Sequence, residues 1–360
     1  MKNTFGNALS VTLFGESHGE AIGAVVDGLA PGIKINEEFI AKQMDKRRAY
    51  GRISTARHEE DKAEIISGVF EGFTTGTPLT ILIKNNNTKS GDYQRNAARP
   101  GHADYTSYEK YHGFEDFRGG GHFSGRLTAP LVAAGAIVLD ALKSKGIFIG
   151  THIKKCAGIE DRNFENINED VKLLDGRIFS VLDMESEEKM KAEIEKAAEE
   201  GDSVGGVLET AITGIPAGVG EPWFDSFESV LSHGIFSIPA VKGIEFGAGF
   251  SFADMKGSEA NDSFEYSDGK VITKTNNNAG INGGITNGMP IVFRTAIKPT
   301  PSIFKEQQTV DFISEKNTAL QLKGRHDPCI VHRAAVVQTS IAALAAADLL
   351  TQRFGTDYLK

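Results

Sequence analysis

Apolar and polar positions alternate with a period of two at the start of the chain and give way to long apolar runs further on. Residues 8–14 (ALSVTLF), 21–28 (AIGAVVDG), 63–70 (AEIISGVF), 79–83 (LTILI) and 206–212 (GVLETAI) carry that alternation with β-branched residues, and they predict strands. Turn residues join them, which favours antiparallel pairing. Residues 125–145 are apolar nearly all round, stop at Gly146 and hold Pro130 early enough to be tolerated, so they predict a buried helix. Residues 184–200 predict a charged helix ended by Gly201, and residues 332–354 an apolar, alanine-rich one. Helices and strands interleave without a regular βαβ period. The expected class is therefore α+β, with antiparallel β-sheets sandwiched with buried and flanking helices. No repeat, low-complexity tract or proline-rich linker divides the chain, so one domain over residues 1–360 is expected.

Composition narrows the function classes. At 360 residues, 40% hydrophobic and 24% charged, the chain has the make-up of a soluble globular protein. A net charge of −9 argues against nucleic-acid binding. Two cysteines, Cys156 and Cys329, give no disulfide framework and no CxxC pair, which suits a reducing cytoplasm and disfavours structural zinc. The N-terminus lacks a signal-peptide core, and no later run is expected to reach the apolar length of a membrane span. Against the acidic background, eight arginines (Arg47, Arg48, Arg52, Arg57, Arg95, Arg99, Arg118 and Arg126) fall within one third of the chain. Arginine in loops suits forked capture of phosphate or carboxylate. The plainer alternative is a set of surface ion pairs with the run Glu59-Glu60-Asp61.

Four loop-like segments carry candidate chemistry. Gly15-Glu16-Ser17-His18-Gly19 fits the G-x-S-x-G pattern of a hydrolase, but only one strand precedes it and a second strand follows, so it predicts a hairpin-type turn presenting Ser17 and His18. In Arg99-Pro100-Gly101-His102-Ala103-Asp104, Pro and Gly set a turn between an arginine and a histidine, and Asp104 is placed to cap the next helix. The run Gly119-Gly120-Gly121 leads toward a helix, an arrangement that binds anions through backbone amides. Lys323-Gly324-Arg325-His326-Asp327-Pro328-Cys329 supplies an anion clamp and two proton-exchanging groups. No metal pattern, dinucleotide fingerprint or P-loop appears.

Taken together the chain resembles the chorismate synthase family nearly end to end, through FGESHG, ISGVFEGFTTGTPL, RPGHADYT, YHGFEDFRGGGHFSGRLTAPLVAAGAI, GIPAGVGEPWFDS, SIPAVKGIEFGAGF, GGITNGMPI, IKPTPSI and GRHDPCI. The resemblance implies an anti-1,4-elimination of phosphate from 5-enolpyruvylshikimate 3-phosphate to give chorismate, with reduced FMN required and no net oxidation. By the same resemblance the catalytic residues are His18, which protonates the departing phosphate, His102 beside the flavin, and Asp327, which helps remove the C6 proton by way of the flavin. Ser17, Arg48, Arg52, Arg99, Arg126 and Arg325 hold the substrate's phosphate and carboxylates, the choice between Arg47 and Arg48 staying open. Flavin contacts carry over to His122, Phe123, Ser124, Ala240, Gly283, Lys298, Pro299, Thr300, Pro301, Ser302 and Arg325, and Arg47 and Arg52 are candidates for NADPH. The implied assembly is a cytoplasmic homotetramer, supplied with reduced flavin by NADPH or by a separate flavin reductase. Three departures stand out: His122 and Phe123 replace an arginine and a serine of the family pattern, KRRAYGR lacks a proline, and Asn277 stands where a histidine is common.

Overall fold

The period-two segments become two antiparallel sheets of five strands each. The computed structural model describes residues 2–55, 61–86, 95–322 and 326–360, so Arg57 and Arg325 lie outside the described residues. The first sheet runs Thr4–Phe5, Ser10–Gly15, Ala21–Asp27, Leu79–Lys84, Glu64–Ser67 in spatial order. Leu13 pairs with Ala24, and Ala24 with Ile81. Alternate residues Leu79, Ile81 and Ile83 are buried, the pattern that half-buried strands require. The second sheet runs Val241–Phe246, Ile291–Ile297, Gly206–Thr213, Phe148–Cys156, Ile159–Glu160.

Between the sheets lie the two apolar helices. Thr128–Ser144 packs on the first sheet and Val331–Phe354 on the second, and the helices pack on each other. At their contact a Cβ on Gly135 would lie 2.4 Å from Ser340 Cβ and 2.8 Å from its Cα, so the close approach needs glycine. Helix Glu37–Arg47 covers both central helices, and Phe227–Phe236 covers the C-terminal one. Asp348, fully buried in the middle of that last helix, accepts hydrogen bonds from the backbone N–H groups of Asn7, Ala8 and Leu9 at 2.7–3.1 Å. The first strands and the last helix are thereby joined. Cys156 and Cys329 meet in the core as free thiols with their sulfurs 3.7 Å apart.

Three expectations are corrected. The strand at 63–70 breaks at Gly68, where φ is +82° and a Cβ would lie 2.5 Å from Leu79 Cα; Val69–Phe70 then pairs with Phe73–Thr74 instead. The helix at 125–145 opens as a short 3-10 turn, Gly125–Leu127, and becomes α-helical only at Thr128. Both central helices are also long and apolar enough to cross a bilayer, with a mean hydropathy of 1.5 each, contrary to the expectation that no run would qualify. In the structure 83% of one such window and 94% of the other are buried inside the protein.

A buried charge network stiffens the second sheet. His152 is fully buried, with Nδ1 2.7 Å from Asp161 Oδ2 and Nε2 2.9 Å from Glu209 Oε2, so both ring nitrogens donate to carboxylates. Burial opposes the imidazolium, but the hydrogen bonds to Asp161 and Glu209 outweigh it and raise His152 above its ordinary 6.5. A raised folded-state value stabilises the protein fully below 6.5 and loses that contribution as pH climbs through the folded value. Urea unfolding measured from pH 6 upward should therefore show a one-proton decline, at most about 1.4 kcal/mol per pH unit, that is missing in His152→Gln. An equal slope in both proteins would show that His152 is not the linked group.

Candidate active site

Strand Ser10–Gly15 and strand Ala21–Asp27 are joined by the turn that carries Ser17 and His18, as the hairpin reading requires. Both side chains are buried. The glycine run lies directly on them: a Cβ on Gly119 would stand 2.3 Å from His18 Cε1 and 2.9 Å from Ser17 Oγ, so only glycine allows the contact. Ser17 N–H donates to Gly121 O at 3.1 Å, and His122 Nδ1 donates to Gly15 O at 2.8 Å. His122 thus latches the loop to the strand end. Asn85 holds the same turn from the other side, donating to Glu16 O and Gly19 O while its Oδ1 accepts from Arg126 Nε at 3.1 Å. The glycine run does not lead straight into the long helix, because Ser124 and the turn Gly125–Leu127 intervene.

The second segment folds around Asp104. Its carboxylate takes a fork from Arg99, Nε to Oδ2 and Nη2 to Oδ1 at 2.7 Å each, and accepts from His102 Nδ1 at 2.7 Å. Burial would raise Asp104, but the hydrogen bonds from Arg99 and His102 hold it well below the usual carboxylate range. The expected cap is therefore absent: Ala103 takes the N-cap position of helix Asp104–Tyr111 without a side-chain bond, because the carboxylate is engaged elsewhere. The KPTPS segment packs on this loop through Lys298 Nζ to Gly101 O and a 3.4 Å contact between Arg99 Nη1 and Ser302 Oγ.

A cleft of about 240 Å³, partly open to solvent, is lined by Arg48, Ser124, Arg126, Pro239, Asp327 and Arg333 among others. Asp61 also belongs to that lining and lies between two buried guanidiniums, bonded to Arg47 Nη1 at 2.8 Å and to Arg126 Nη1. The remaining nitrogens of Arg47 donate to Thr128 Oγ1 and Gly125 O. Burial draws Arg47 down to about 9, which still leaves it charged at neutral pH. Asp61 is lowered because Arg47 and Arg126 outweigh burial. So Asp61 was correctly read as an arginine partner, but the pair is interior, not on the surface. Asp327 accepts from Thr55 N–H at 2.9 Å and from Arg333 Nη1 at 2.7 Å.

The other candidate residues fall at varying distances from this arrangement. Ala240 follows Pro239 in a left-handed conformation, φ +76°, with its carbonyl accepting from Lys298 N–H. Phe123 is 39% exposed and meets Tyr111 edge-on. Arg52 is exposed and stands outside the lining of the cleft. Gly283 sits exposed in the tight turn between Ile281–Asn282 and Ile285–Thr286. Asn85, Thr55 and Arg333 were not singled out by sequence. Asn85 stands in a run of asparagines, and Arg333 is one helical arginine among many, so nothing local marks either.

A family model described as chorismate synthase matches residues 9–351. The chain is 46% identical over 350 residues to a chorismate synthase of Thermococcus gammatolerans, covering 97% of each. It is 47% identical over 355 residues to one of Chitinophaga pinensis, covering 98% of each. It also matches a crystal structure of chorismate synthase with a TM-score of 0.76 at 28% identity, covering 98% of this chain and 94% of that one.

The buried bridge makes a direct prediction. Asp61→Asn leaves two interior guanidiniums facing a neutral amide and should cost about 3–5 kcal/mol in denaturant unfolding, the usual penalty for breaking a buried pair. Stability within error of wild type would mean that the arginines are satisfied without it.

Proposed function

The chain belongs to the chorismate synthase family, and from that premise we propose that the cleft lined by Arg48 and Asp327 is where phosphate and a hydrogen leave 5-enolpyruvylshikimate 3-phosphate. The protein is a carbon–oxygen lyase of the shikimate pathway and serves aromatic amino-acid biosynthesis. The observation that carries the site assignment is Ser17, whose buried hydroxyl has no hydrogen-bond partner among the described residues and lies beside His18. Buried hydroxyls are normally paired. Ser17 Oγ therefore suits a group that arrives with acceptor oxygens, as a phosphate does, and Asn85 ties its turn to Arg126 at the cleft wall.

Arg48 lines the cleft with its Nη1 on Asp45, while every nitrogen of Arg47 is bonded to protein, which counts against Arg47 as the phosphate partner. It also leaves Arg52 as the candidate for NADPH. Residues that would hold reduced FMN are Ser124, which lines the cleft, and Ala240, which follows Pro239 of the lining; Thr300, outside that lining, keeps a buried hydroxyl without a partner among the described residues. When bound, reduced FMN supplies an electron-rich ring that assists loss of the phosphate and is regenerated unchanged. His18 gives a proton to the phosphate oxygen as the C3–O bond breaks. Asp327, fixed by Arg333 and the Thr55 N–H, presents its carboxylate to the cleft to take up the C6 proton. His102 lines a second cavity with Gly120, His122 and Phe123, and there it would hold a proton for the flavin. We further propose a cytoplasmic homotetramer, supplied with reduced flavin by NADPH or by a separate reductase.

The test is an anaerobic assay for chorismate with pre-reduced flavin. Product should form over many turnovers with the flavin still reduced, and stoichiometric flavin oxidation would exclude the elimination. Within that assay His18→Ala should lower turnover by roughly 10²–10⁴-fold, as for a lost general acid, with flavin affinity kept. Asp327→Asn should enlarge the deuterium isotope effect at C6, and His18→Ala should not. Equal isotope effects in the two variants would mean that the proton roles are misassigned.

A further inference from the structure

We infer that Asp104 is a positioning residue for the elimination: it fixes His102 with its proton on Nδ1, leaving Nε2 as the nitrogen that exchanges protons, and it employs Arg99 to do so. This assignment rests on the role proposed for His102. Two nitrogens and the backbone N–H of Arg99 converge on the Asp104 carboxylate, together with His102 Nδ1, which comes within 2.7 Å of Oδ1. An ionised carboxylate offers about four acceptor sites. Those four donors fill them, which is why the helix beginning at Asp104 goes without its cap.

The same crowding settles the tautomer. Nitrogen and carboxylate oxygen, both bearing lone pairs, approach to 2.7 Å only with a proton between them, so Nδ1 carries it. Arg99 Nη2, 3.1 Å from that nitrogen, cannot also donate to it and gives its hydrogen to Oδ1 instead. The ring edge bearing Cε1 and Nε2 then faces Gly120, where a Cβ would stand 3.2 and 3.4 Å from those atoms. His102 and Gly120 line one cavity with Phe14, Tyr111 and Phe123. A glycine at 120 leaves Nε2 open toward that space. Arg99, with its fork closed on Asp104, acts as the clamp that keeps the carboxylate in place.

Asparagine at 104 presents one oxygen and one NH2 group, and it cannot satisfy the arginine fork and the imidazole together. An amide NH2 turned to Nδ1 reverses the tautomer and moves the proton to Nε2. The experiment is 15N-histidine NMR of the flavin-free protein, with the His102 signal assigned through His102→Gln. Wild type should show the Nδ1–H form and Asp104→Asn the Nε2–H form. In the loaded enzyme, Asp104→Asn and Arg99→Lys should lower kcat about ten- to a hundredfold, the scale of a lost orienting partner, with KM for the phosphorylated substrate unchanged. Persistence of the Nδ1–H form in Asp104→Asn overturns the inference, and so does an Arg99→Lys enzyme with normal kcat and a raised KM, which would make Arg99 a substrate ligand. If Asp104→Asn does not fold, Arg99→Lys, which keeps the carboxylate but loosens the fork that holds it against His102, decides by the same split between kcat and KM. Normal turnover in His102→Ala also overturns the role; the tautomer result then shows that His102, not its contact with Asp104, was misread.

Discussion

Asp61 holds its carboxylate between Arg47 and Arg126, all three side chains almost out of reach of water. Arg47 ends helix Glu37–Arg47, and Arg126 stands in the turn that opens into helix Thr128–Ser144. One acidic side chain thus locks the end of one helix to the beginning of another, and Arg47 tightens the junction through Thr128 and Gly125. Desolvating three charges is expensive, and a well-packed apolar cluster could stabilise the junction as well or better. What the ionic version adds is direction. With Arg47 fixed on Asp61, Thr128 and Gly125, it and the next residue, Arg48, both line the cleft, together with Ser124 and Arg126.

The same device recurs around the site. Asp104 is gripped by Arg99, and Asp327 by Arg333, whose Nε also donates to Arg47 O. Asp116 is held in the same way by a fork from Arg118, so many of the arginines gathered in an acidic chain hold carboxylates of the protein itself. Behind Asp327, His332 is kept neutral: burial, then Arg333 and Lys191, pull it down to about 3. In that state it pairs with Ser54 at 2.8 Å and anchors the loop whose Thr55 N–H reaches Asp327.

Periodicity was enough to place the strands at 10–15, 21–27, 79–84 and 206–213 and the two central helices, because their apolar positions repeat in step with the backbone. It failed at Gly68 because the break there comes from a neighbouring strand, Leu79, pressing where a Cβ would go. In the site, Ser17, His18 and His102 were legible as residues flanked by glycine and proline. Their partners were not. Asn85 reaches Arg126 from 41 residues away, Arg333 is one helical arginine among many although it lies only six residues from Asp327, and Asp61 was read as a surface partner when it is an interior one. Asp104 was noticed for the wrong contact, since an aspartate at a helix start reads as a cap until an arginine and a histidine claim it.

The central helices have a further consequence for how the chain must be made. Thr128–Ser144 leaves the ribosome long before Val331–Phe354, the surface against which it packs, has been translated. Asp348, which receives the amides of Asn7, Ala8 and Leu9, also lies in that late helix. Until Val331–Phe354 has been made, an apolar helix long enough to enter a bilayer stands uncovered on one side, and the N-terminal hairpin waits for its anchor. Exposed surface of that kind is what drives nascent chains to aggregate or to engage chaperones. A chain cut just before Val331 would hold both sheets and helix Thr128–Ser144 but not the helix that packs against it.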